Sequence, residues 1–126
     1  MPKQVPDVPS GVSPLGPYSM VTEAAGLVFV SGQVAIDPAT DTPIDGGVRD
    51  QAVRVMENLG LVLDDLGLGY DDIAKTTIFL TDMGDFPVVN EVYGACFEGA
   101  PPSRSTVEVS ALPGGFLVEI EVIAAR

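Results

Sequence analysis

The C-terminal run "FLVEIEVIAAR" limits what this chain can fold into more than any other stretch. Read with the two-residue period of a strand, Phe116, Val118, Ile120, Val122 and Ala124 form one unbroken apolar face. Leu117, Glu119, Glu121 and Ile123 form the other. The first face needs helices to cover it. The second is neither a good core nor freely polar. Only two stretches of the chain read as helices, and two helices cannot cover both sides of a sheet, so the second side must meet water or another subunit. A mixed apolar and acidic surface suits an oligomer interface containing polar pockets, which makes a site between subunits the natural expectation.

The first helix spans about 47–67, where Val48, Ala52, Val55, Met56, Leu59, Leu63 and Leu66 recur at three- and four-residue steps. Asp45 is its expected N-cap and Gly67 or Gly69 its stop. The second begins at Asp85, carries Pro87 in its first turn, sets Phe86, Val89, Tyr93 and Phe97 on one side, and is halted by "GAPP". Strands are expected at 18–22 and 27–32, joined by a tight turn at Ala25-Gly26, then through "DIAKTTIFLTD", and at 104–110 and 116–124. "LVFVSGQ" is apolar on both faces, as a strand covered on both sides would be. "DPATDTPIDGG" reads as a loop and the proline-rich 1–17 as an extended arm. The order β-β-(β)-α-β-α-β-β, with hairpins at both ends, predicts an α+β fold: two helices on one face of a mixed sheet, in a single domain over 1–126.

Composition removes several functions. The chain has 126 residues, 46% of them apolar, enough for one core. No apolar run reaches the roughly 18 to 20 residues of a membrane span, and the N-terminus has no hydrophobic region of the kind a signal peptide needs, so a cytoplasmic location and no membrane partner are expected. A single cysteine, Cys96, lies in an apolar helical pattern and reads as a buried free thiol. With no histidine, the usual zinc sets are out of reach. The pairs Asp64-Asp65 and Asp71-Asp72 lack the spacing of a calcium loop, so no metal is expected. A net charge of −12 argues against nucleic acid, whose affinity rests on Lys and Arg neutralising phosphates. It also means that a site for a small anion needs a deliberate local cation.

Arg104 fits that need, standing behind a rigid Pro-Pro at the head of a strand on which Arg104, Thr106 and Glu108 share a face. Its planar fork can hold a carboxylate bidentately, and Glu119, if it reaches the same pocket, can orient or deprotonate a water. Arginine plus glutamate without histidine or metal suits hydrolysis of an already electrophilic centre such as an imine. Each residue also has a plainer reading. Arg104 is equally a structural ion pair, Glu119 an ordinary interface charge, and Tyr18 and Tyr93 packing aromatics. Asn90 is exposed or bonds a backbone group, and Ser31 satisfies a strand end.

Four segments, "GPYS" at 16–19, "VFVSGQ" at 28–33, "DIAKTTIFLTDMGDFPVVNEVY" at 72–93 and "PPSRSTVEVSALPGGFLVEIEVIA" at 101–124, resemble the RidA family, also called YjgF/UK114, in order and spacing. The resemblance implies a chorismate-mutase-like protomer, a homotrimer with three sites between subunits, and cofactor-free hydrolysis of 2-imino acids, such as 2-iminopropanoate and 2-iminobutanoate, to 2-keto acids and ammonia. It further implies that Arg104 clamps the substrate carboxylate, that Glu119 holds the attacking water, and that Tyr18, Ser31 and Asn90 line the pocket. Thr106 stands where many members carry cysteine, which weakens any thiol-based role there. The same resemblance leaves other readings open: an enamine such as 2-aminomuconate as substrate, an endoribonuclease or translation inhibitor, or a non-catalytic 2-keto acid binder or chaperone-like protein.

Overall fold

A computed structural model describes residues 2–126. The strands are β1 (Val21–Ala24), β2 (Leu27–Gln33), β3 (Ile36–Asp37), β4 (Thr42–Pro43), β5 (Ile73–Leu80), β6 (Ser103–Glu108) and β7 (Val118–Ala125). The helices are α1 (Val48–Asp65) and α2 (Phe86–Gly94). The fold is α+β, as expected: one five-stranded mixed sheet in the order β1-β2-β7-β5-β6, with α1 and α2 packed side by side over it.

The alternation of β7 sets the layers. Val118, Ile120, Val122 and Ala124 are buried, together with Val28, Val30, Ile78 and Leu80 from neighbouring strands and Val55, Leu59, Val62 and Leu63 from α1. On the other side Glu119 and Ile123 are half-buried, Glu121 is exposed, and Phe29 is also exposed. No helix covers this face. No helix among the described residues is long and apolar enough to cross a membrane.

Five local expectations are corrected. The expected closing hairpin is absent: β6 pairs parallel with β5, and β7 lies between β2 and β5, antiparallel to both. A β5-α2-β6 crossover carries β6 to the sheet edge, which leaves the central slot to the strand with the longest buried face. The first strand begins at Val21 instead of residue 18: the turn at Ala25 (φ 54°) and Gly26 (φ 77°) pairs Val21 with Val30, and beyond Val30 β2 becomes irregular and the ladder ends. The loop at 37–47 contains the short β3–β4 ladder. The N-cap of α1 is Gly47, not Asp45: Gly46 turns with φ 122°, and the Asp50 carboxylate reaches back to accept from the Gly47 N–H at 3.3 Å. The expected stop at Gly67 stands. Its φ is 73°, and Leu68 and Gly67 donate to the Leu63 and Asp64 carbonyls at 2.9 and 3.0 Å, closing the last turn. Cys96, expected to be buried, is half-buried; its thiol donates to the Val92 carbonyl, and burial pushes its pKa up.

Two polar contacts tie α1 to its surroundings. The buried Asn58 amide donates to the Ile36 carbonyl at 2.8 Å and accepts from Arg54 Nε at 2.9 Å. The Tyr70 hydroxyl donates to the Met56 carbonyl at 2.6 Å and passes directly over Gly60, where a Cβ would lie 2.7 Å from it. Burial holds that phenol at about 12, so it remains a donor. Replacing a helix-interior glycine with alanine ordinarily stabilises by about 1 kcal/mol. Here the sign should reverse, since the ring must move and its hydrogen bond break: Gly60→Ala is expected to lose about 1–2 kcal/mol in urea unfolding.

Candidate functional site

The sequence-predicted residues fall into two groups. The first lies on the helix side of the sheet edge. Arg104 on β6 sits opposite Thr76 of β5, and Thr76 is hydrogen-bonded to the Tyr93 hydroxyl of α2 at 2.8 Å. The Arg104 guanidinium therefore lies against α2, 5.4 Å from the Phe86 ring centroid and 5.2 Å from that of Tyr93. Its Nη1 donates to Asn90 Oδ1 at 2.8 Å. No carboxylate among the described residues pairs with it, which removes the ion-pair reading within one chain. Thr106, two residues along on the same face, has a buried hydroxyl without a hydrogen-bond partner. Glu108, next on that face, accepts from the Met83 N–H at 2.7 Å and so braces the turn before α2.

The second group surrounds Glu119 on the uncovered side. Strand β2 leaves the β7 ladder between Val30 and Gln33, and Gly32 lies in this irregularity. A Cβ on Gly32 would fall 2.4 Å from Glu119 Oε2, so the glycine makes room for the carboxylate. Beside it Ser31 donates its hydroxyl to the Ser19 carbonyl at 2.7 Å. The Tyr18 oxygen accepts from the Leu15 N–H at 3.2 Å, which leaves the phenolic hydrogen free to donate. Leu15, Tyr18, Ser31, Gly32, Val34 and Glu119, with the 113–116 corner, enclose a groove of about 390 Å³. Burial raises the Glu119 pKa, and the neighbouring Glu121 charge raises it further.

Within one protomer these groups do not meet. Arg104, Asn90 and Thr106 face the helices, whereas Tyr18, Ser31 and Glu119 face away, on the other side of the sheet and with β5 between the strands of Arg104 and Glu119. A wider recess of about 520 Å³ lies near the arm, but its charged side chains, Glu23 and Arg126, are paired with each other. Sequence reasoning missed Gly32, Leu15 and Phe116 as groove residues and Phe86 as the stacking partner of Arg104. An isolated glycine inside the apolar "VFVSGQ" run was the available signal for the first, since such a glycine marks a bulge or a close approach.

The sequence profile of the family described as Endoribonuclease L-PSP matches residues 9–126. Protein DfrA of Myxococcus xanthus is 54% identical over 112 residues, covering 87% of this chain and 86% of its own. The mouse 2-iminobutanoate/2-iminopropanoate deaminase is 41% identical over 112 residues, covering 89% and 83%. Among solved structures, the Rid family protein YyfA of Yersinia pestis superposes with a TM-score of 0.94 at 42% identity, covering 99% of this chain and all of its own.

The raised Glu119 pKa has a definite sign for stability. The folded state holds a proton that the unfolded chain releases, so the ionised carboxylate penalises folding above the raised value. That penalty fades as pH falls through the raised value toward the ordinary carboxylate range. Gly32→Ala should push Glu119 outward, because the atoms met belong to the end of a flexible side chain. The expected loss of stability is within about 1 kcal/mol. Carboxyl NMR should show the Glu119 titration moving down toward the ordinary range.

Proposed function

The chain belongs to the Endoribonuclease L-PSP family, the group also called RidA/YjgF, and from that premise we propose that it hydrolyses 2-imino acids to 2-keto acids and ammonia. The observation that carries this reading is the separation of one unpaired guanidinium from one half-buried carboxylate on opposite sides of a sheet with an uncovered face. Each half-site lacks what the other holds. A second copy laid on the uncovered face supplies the missing half, and three copies close the arrangement as a homotrimer with a site at every junction.

In the completed site Arg104 holds the substrate carboxylate through its fork, while Phe86 and Tyr93 stack on the guanidinium and Asn90 fixes its tilt. Glu119 of the adjoining protomer presents a water to the C=N carbon, and Tyr18 and Ser31 line the wall beside it. Water adds to that carbon and gives a tetrahedral carbinolamine, the nitrogen takes a proton, and the C–N bond breaks to leave ketone and ammonia. An imine carbon is already electron-poor, so orientation supplies most of what is needed. Glu119, its pKa raised by burial, is a better proton acceptor than an exposed glutamate. The mouse and rat relatives named as deaminases of 2-iminobutanoate and 2-iminopropanoate support this substrate class. A ribonuclease role fits poorly with a net charge of −12 and an acidic groove.

Arg104→Ala and Glu119→Gln are each expected to lower kcat/KM for 2-iminopropanoate at least about a hundredfold. Refolded together in equal amounts, they should recover about a quarter of the parent activity, since a junction between two copies is restored only when both contributors are intact. No recovery from the mixture would place both residues in one chain's site and overturn the proposal.

A further inference from the structure

We infer that the groove beside Glu119 receives the side chain of the imino acid, and that it favours branched or longer aliphatic substrates over the three-carbon one; this rests on the imine-hydrolysis reading above. In one protomer the groove, open on the side the adjoining copy covers, offers about 390 Å³, far more than a single methyl group fills. Its wall is apolar: Leu15, Val34, Pro113 and Phe116. Leu15 is 71% exposed, an aliphatic side chain held out at the rim by the Leu15 N–H to Tyr18 bond.

Charge decides the occupant. Glu119 is the one charged residue lining the groove, and no cation faces it there. A ligand carboxylate placed in the groove would sit against Glu119 unpaired, so the anionic end must lie with Arg104. The Ser31 hydrogen is committed to the Ser19 carbonyl, which leaves the Tyr18 hydroxyl hydrogen as the free side-chain donor. A substrate that satisfies both half-sites thus has three parts: an anion for Arg104, a C=N centre at Glu119, and an uncharged apolar tail along Leu15, Val34 and Phe116. The two-residue step between Phe116 and Val118, and the Pro113–Gly115 turn that folds Gly114 over the Phe116 ring, fix this wall to the central strand.

The test generates imines in place from alanine, leucine and glutamate with an amino acid oxidase and measures keto acid release. Each buried carbon is worth about fourfold, so with two to three of its extra carbons buried the leucine-derived imine should exceed the alanine-derived one in kcat/KM by about 16- to 64-fold, with the glutamate-derived imine slowest. Leu15→Ser, a change at an exposed position, should cut the leucine-to-alanine ratio about tenfold with the melting temperature unchanged. Equal kcat/KM for the alanine and leucine imines, or a ratio indifferent to Leu15→Ser, overturns the inference. If no imine is turned over, the imine-hydrolysis reading falls by itself and the groove is judged by binding. A larger melting shift with 4-methyl-2-oxopentanoate than with pyruvate, lost in Leu15→Ser, supports it; equal or absent shifts overturn it.

Discussion

The rest of the molecule depends on one packing constraint: β7 lies at the centre of the sheet with only one of its faces covered. Val118, Ile120, Val122 and Ala124 carry the core contacts that hold α1 and the neighbouring strands together. The two-residue period then leaves no choice about the alternate positions. Glu119 sits between two fully buried residues of a central strand, yet its carboxylate emerges on the side without helices. Its backbone is as fixed as any in the protein, and its head lies in the space made by Gly32. A precisely placed, half-desolvated carboxylate is a direct product of that arrangement.

The cation is prepared differently. Of the chain's six basic residues, Arg49, Arg54 and Arg126 are paired with Glu91, Glu57 and Glu23. In a protein with 18 acidic residues, that is where an arginine would be expected to end. Arg104 instead rests on two aromatic rings and a neutral amide. These partners hold it in position without neutralising it, so its charge stays available to a ligand. The protein's acidity sharpens the effect, because anions are repelled everywhere except where such a cation has been set apart.

Much of this was legible in the sequence. The two faces of β7, the stripe of α1 from Ala52 to Leu63 and the strand at "DIAKTTIFL" are periodic signals, set by burial over many residues. The position of β7 between β2 and β5 was not legible, because strand order depends on partners far apart in the chain and leaves no local pattern. Reading β6 and β7 as a hairpin followed from their closeness in sequence, and it hid the fact that Arg104 and Glu119 face opposite ways. The start of α1 near residue 47 was legible, but its cap was not: Asp45 has the side chain of a cap, while the turn at Gly46 makes Gly47 the capping residue. The residues around Arg104 were foreseen by type, but the stacking of Phe86 was not. An aromatic at the first turn of an amphipathic helix looks like core until the strand beneath it is known.

The same geometry limits the chemistry. The single thiol, Cys96, lies in the turn just past α2 with its pKa raised by burial, which makes it a poor nucleophile. The Tyr70 and Tyr93 phenols are pushed up by burial and stay protonated. For the proposed hydrolysis the groups at hand are a carboxylate that can hold a water, a guanidinium that can hold an anion and the free Tyr18 hydroxyl. Without a strong general acid beside it, such a site is poorly suited to expelling the amine of an unactivated amide. It is sufficient for a centre whose electron deficiency comes with the substrate. The proposed imine hydrolysis is a reaction in which position matters more than nucleophilic strength, and position is what the central strand and the stacked arginine supply.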